Sequence, residues 1–136
     1  MNRTDLQRLS NIRVREATAL FKLGEYSGAY YLAGYAIECA LKACFAKAVR
    51  RHDFPDKSRS RKVFIHNLPE LLDLAELKKD LKVAMQADPI LEAAWNVVCD
   101  WTEESRYAVW TRADAQKVLG AVKGRGGVLP WIKRRW

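Results

Sequence analysis

From about Glu25 to Arg50 the chain carries apolar residues on almost every side of one helix-length segment. Tyr26, Ala29, Tyr30, Ala33, Ile37, Ala40, Leu41, Cys44, Phe45 and Ala48 recur at spacings of three and four, the period of a helix with one continuous apolar face. The opposite side is hardly more polar. It holds Tyr31, Leu32, Gly34 and Tyr35, with Glu38 and Lys42 as its charges. A helix of this kind belongs at the centre of a fold, with neighbours on several sides. Gly34 and Ala36 allow another backbone to come close. The segment therefore dictates an all-α architecture built around itself.

The flanking sequence supplies the surrounding helices. A first helix is expected from about Thr4 to Leu23, with Thr4 as its cap, Leu6, Leu9, Ile12, Ala17, Leu20 and Phe21 as its stripe, and Gly24 as a left-handed stop. After a basic, irregular stretch from Arg51 to Lys62, broken by Pro55 and Asp56, Asn67 and Glu70 form a capping-box pattern with Pro69 in the first turn. That third helix is expected to run, with a bend, through Leu71, Leu72, Leu74 and Leu77 to Met85. Asp88-Pro89 opens a fourth helix reaching about Trp101. Thr111 and Asp114 cap a fifth, about Arg112 to Lys123, which ends at Gly124, Gly126 and Gly127. A last short helical piece is expected over Val128 to Trp136. The expectation is an up-and-down bundle of about five helices, one domain over residues 1–136.

Composition narrows the function classes. No run of about eighteen apolar residues occurs, so no membrane span is expected. The N-terminal residues lack a hydrophobic signal segment, which points to a cytoplasmic protein. Cys39, Cys44 and Cys99 lie in apolar helical patterns without metal spacing and read as buried, reduced thiols. Twenty-four Lys and Arg against sixteen Asp and Glu give a formal charge of +8, which favours an acidic partner such as RNA.

Few residues suggest chemistry. Glu38 and Lys42, four apart with Glu first, suit an ion pair. On so apolar a face the pair should be partly buried, and a buried charge needs partners. Arg106, beside Tyr107 and after Trp101, is the best distant candidate. The alternative is a polar ligand pocket made of Tyr31, Tyr35, Glu38, Lys42, Arg106 and Tyr107. His66 precedes the third helix and reads as part of its start, and His52 reads as solvated. Two unlinked histidines do not make a zinc site, and no phosphate-loop or nucleophile-elbow motif occurs, so neither metal nor cofactor is expected. Basic residues cluster at Arg50, Arg51, Lys57, Arg59, Arg61 and Lys62. A second group, Lys123, Arg125, Lys133, Arg134 and Arg135, is interleaved with Trp131 and Trp136, a mixture suited to phosphate contact and base stacking. Trp95 and Trp101 read as core.

The stretch from Gly24 to Lys42, GEYSGAYYLAGYAIECALK, resembles the signature helix of the HEPN family of bacterial helical domains. His66 to Leu72, HNLPELL, resembles the family's next helix start, and Trp101 to Tyr107, WTEESRY, resembles a segment of one bacterial branch. The resemblance implies a helical bundle and a homodimer. It also implies a minimal nucleotidyltransferase as partner, often in a toxin–antitoxin pair. Some members are metal-independent ribonucleases with an arginine and, a few residues later, a histidine late in the bundle. Here Arg106 is followed by Tyr, Ala, Val, Trp, Thr, Arg and Ala, with no histidine. The pattern recurs at Arg61 and His66, ahead of the third helix. The resemblance thus implies a non-catalytic binding module engaging a nucleotidyltransferase, a nucleotide or RNA. The alternative is a ribonuclease in which Arg61 holds phosphate and His66 moves a proton.

Overall fold

The computed structural model describes residues 1–51, 61 and 64–136, and among these the fold is all-α with no strand. Helix α1 spans Arg3–Lys22. Its cap is Asn2, not Thr4: Asp5 N–H donates to Asn2 Oδ1 and Asn2 N–H to Asp5 Oδ2, both at 3.0 Å. This reciprocal box satisfies two orphan donors and places a carboxylate in the first turn, so it prevails over a lone Thr4 hydroxyl. The helix stops as expected. Gly24 has φ +82°, Gly24 N–H returns to Phe21 O, and Glu25 N–H returns to Leu20 O. That pair of bonds is the Schellman arrangement, which needs a left-handed residue at this position.

Helix α2, Tyr26–Arg51, has 26 residues and is about 39 Å long. It contacts α1 and most of the elements described below. Ala29, Ala33, Ala36, Ile37, Ala40 and Leu41 are fully buried. Ser10 of α1 donates to the Ala36 carbonyl at 2.8 Å, a buried bond that ties the α1–α2 hairpin together. The apolar excess of α2 is thus largely absorbed within the chain. Trp101 lies on Gly34 so closely that a Cβ there would fall 2.2 Å from the indole ring.

The single bent helix expected over Asn67 to Met85 is instead two. Helix α3 is Leu68–Leu74, capped by Asn67, and α4 is Lys78–Ala87. Between them Glu76 takes φ +62° and Leu77 N–H reaches Leu72 O at 3.1 Å. The reason is geometric. In an unbroken helix Leu77 would point well away from the face shared by Leu71 and Leu72. The break lets Leu71, Leu72, Leu77 and Leu81 all enter the core.

Helix α5, Pro89–Val98, is capped by Asp88, whose Oδ1 accepts from Ile90 and Leu91 N–H. It ends before Trp101, which turns inward to reach Gly34. A 3-10 helix, Glu103–Tyr107, follows. Helix α6 is Arg112–Lys123, with the Thr111/Asp114 capping box closed in both directions. Helix α7 is Val128–Lys133. The core gathers α2, α3, α5, α6 and α7 side chains, with Trp95 and Trp101 inside it as expected. No helix among the described residues is long and apolar enough to cross a membrane.

Candidate functional site

One stripe of α2 carries Tyr31, Tyr35, Glu38 and Lys42, residues spaced by four, three and four that share a helix face. Glu38 is 1 % exposed. A carboxylate removed from water this completely needs strong partners. Lys42 Nζ donates to Oε1 at 2.7 Å, as the spacing in the sequence suggests. The distant partner is His66, not Arg106. His66 Nδ1 lies 3.0 Å from both carboxylate oxygens. The start of α3 brings it there: Asn67 caps α3 and fixes the backbone, and α3 packs on α2. Lys42 and His66 side chains remain 16 % and 43 % exposed, so the pair faces solvent above a buried acid.

Arg106 follows a different logic. It sits on the exposed 3-10 helix, its guanidinium 4.9 Å from the Tyr107 ring centre. Tyr107 first and Tyr31 second favour its charge, through electrostatic attraction and side-chain hydrogen bonding, and raise its pKa. Tyr31 in turn lies 5.9 Å from Trp101 and 6.0 Å from Tyr35. A residue absent from the sequence reading joins this edge. Arg13 of α1 lies 5.9 Å from the Tyr35 ring centre and is ion-paired with Glu16. The six candidate pocket residues therefore form two adjoining groups along α2. Glu38 and Lys42 join His66, while Tyr31, Tyr35, Arg106 and Tyr107 form an aromatic and guanidinium edge.

The 3-10 helix that carries Arg106 is held at both ends. Trp101 is buried against α2. Trp110 stacks on Tyr30 at 3.7 Å with the ring planes 8° apart. Its backbone N–H donates to Ser27 Oγ at 2.9 Å, and its indole N–H donates to Ser105 O at 3.0 Å.

Of the residues in the ribonuclease alternative, Arg61 is exposed, and its carbonyl accepts from Phe64 N–H. With Nδ1 on Glu38, His66 directs Nε2 away from the acid. In the neutral form, an Nδ1–H donated to the carboxylate leaves Nε2 as an acceptor. His52, Lys57, Arg59 and Lys62, and the side chains of Arg50 and Arg51, lie outside the described residues. In the second basic cluster, Trp131 is buried under Arg135, whose guanidinium lies 3.8 Å from the ring centre and donates to Trp131 O. Lys133 lies 5.6 Å from the Trp136 ring centre. Trp131 is thus a capped core ring and not an open stacking platform.

Burial pushes the Cys39 and Cys44 thiols up to about 11. Their inert, protonated form agrees with the buried thiols read from the sequence. Among the described residues no group of three His, Cys, Asp or Glu side chains could hold a metal ion. The sequence signals only that the Glu38 carboxylate, on so apolar a helix, needs a further partner; that the partner is His66 follows from α3 packing on α2. Compared with protein-family models, curated proteins and solved structures, the chain has no match.

Proposed function

We propose that this chain is a non-catalytic, HEPN-type binding module that takes RNA or a nucleotide on the α2 stripe. One observation carries the reading. The Glu38 carboxylate is ion-paired with Lys42 and held by His66 Nδ1 within the chain. What the stripe offers outward is therefore cationic and aromatic: Arg106 with Tyr107, and the half-buried Tyr31 and Tyr35. Arginine beside tyrosine suits a phosphate next to a stacked base. Assembly as a homodimer, and a nucleotidyltransferase partner in a toxin–antitoxin pair, are the further content of the resemblance.

A second reading is favoured by the Glu38–His66 geometry. A buried carboxylate that fixes one ring nitrogen and leaves the other outward is how a histidine is prepared to move a proton. In that reading the module is a metal-independent ribonuclease, with Arg61 holding the phosphate.

The test is incubation with mixed single-stranded RNA in chelator, read both as binding and as cleavage. Binding that fades with salt, without cleavage, is expected. Arg106→Ala and Tyr107→Ala should each weaken it. Cleavage by the wild type that vanishes in His66→Ala would replace the first reading by the second.

A further inference from the structure

A second basic surface lies on the far side of α1. Arg8, Asn11, Ile12, Val14 and Arg15 of α1 line a groove of about 440 Å³ with Lys133 of α7. Arg8 and Arg15 are seven residues apart, two helical turns, so they stand on one face about 10 Å apart along the axis. This face points away from Ser10, which is buried against α2, and away from Arg13, which serves the stripe. The groove is therefore separate from the site described above.

Its charge is unbalanced. The lining residues include three cations and no carboxylate. Among the described residues neither Arg8 nor Arg15 forms an ion pair. Both acids of α1 are engaged elsewhere: Asp5, three residues before Arg8, closes the capping box with Asn2, and Glu16, next to Arg15, is bound by Arg13. Two exposed arginines two turns apart repel each other weakly and gain nothing for the fold. Asn11 lies between them on the same side and can donate or accept. Ile12 and Val14 give the groove apolar walls.

We propose that this groove holds the phosphodiester backbone of single-stranded RNA, an inference that rests on RNA being the ligand of the stripe. A lone phosphate would need its donors gathered at one point. Cations spread along a groove instead suit successive phosphates of a chain, with the apolar walls against sugar. The sequence clusters point elsewhere, because Arg8 and Arg15 are neighbours only once α1 is wound.

The experiment measures binding of a fluorescein-labelled mixed-sequence RNA oligonucleotide by anisotropy across a salt series. The proteins are the wild type, Arg8→Ala/Arg15→Ala/Lys133→Ala, and Lys78→Ala/Lys79→Ala/Lys82→Ala. The last removes the same charge from exposed positions of α4. All six positions are exposed, so both triple variants should fold. The groove variant should bind about tenfold more weakly at low salt, and the slope of log K against log salt should become shallower by about 2, the release expected for three lost phosphate contacts on a single strand. The α4 variant should change little. Equal losses in both variants would show a response to net charge alone and overturn the proposal. Poly-glutamate displacing RNA as well as unlabelled RNA does would also overturn it, in favour of an acidic protein. If the groove variant binds as the wild type does while Arg106→Ala weakens binding, the groove fails and the stripe stands. If the wild type does not bind, both fail.

Discussion

Replacing Glu38 by alanine tests whether the buried acid is a lock. The carboxylate accepts one bond from Lys42 and faces His66 with both oxygens. A hydrogen bond to a charged group contributes about 1.5–3 kcal/mol. The Lys42 share keeps most of that value, because its side chain is only 16 % exposed. The His66 share must be discounted for solvent screening, because its side chain is 43 % exposed. Alanine also leaves the Lys42 ammonium partly desolvated without its counter-charge, together with a small cavity. The total should be about 3–5 kcal/mol, the range for removing one partner of a buried pair. For a domain of this size that is roughly a 10–15 °C fall in Tm. The assay is urea denaturation, with the midpoint falling and the slope m unchanged. Glu38→Gln, which keeps shape and hydrogen bonding, should lose less. A double-mutant cycle should give a larger coupling for Glu38 with Lys42 than with His66. An unchanged midpoint in Glu38→Ala would refute the lock. Intact stability with lost RNA binding would move Glu38 into ligand recognition.

Three further outcomes are expected. Gly34→Ala places a methyl carbon 2.2 Å from the rigid Trp101 ring and should cost about 3 kcal/mol, read from the urea midpoint; a neutral result would contradict that close approach. Stability should fall on the alkaline side. Burial raises the Cys39 and Cys44 thiols from 9.0 to about 11, so the unfolded chain loses its thiol protons first. The stabilisation is complete below pH 9 and disappears as pH rises through about 11, on the order of 2 kcal/mol per thiol, and a flat Tm between pH 8 and 10.5 would exclude it. Light scattering over a range of concentrations should give a homodimer mass; a monomer throughout would sink that part of the proposal.

The legible parts of the sequence were those set by local rules. The Thr111/Asp114 box and Gly124 delimit α6 residue for residue, because caps and glycine act within a turn. Glu38 and Lys42 meet because spacing on one helix fixes their distance. What stayed hidden depends on how helices come together. Nothing local distinguishes Arg106 from His66 as the acid's partner; the choice is made by α3 docking on α2. The break at Glu76 was hidden because Leu71, Leu74, Leu77 and Leu81, spaced by three, three and four, fit the stripe of a continuous helix, and only Leu72 falls off it. Arg8 and Arg15 escaped notice as a pair because clustering along the chain is a poor guide to clustering around a helix.

The segment between Trp101 and Trp110 behaves as a strap fastened by two rivets. Local opening of the 3-10 helix requires lifting Trp101 from Gly34 or unstacking Trp110 from Tyr30. Its amide protons should therefore exchange only through large, cooperative openings, unlike those of an ordinary exposed loop. Arg106 and Tyr107 ride on this strap while exposed to solvent. Trp101 and Trp110 anchor both ends of that backbone before any ligand arrives, so little ordering entropy should remain to oppose capture.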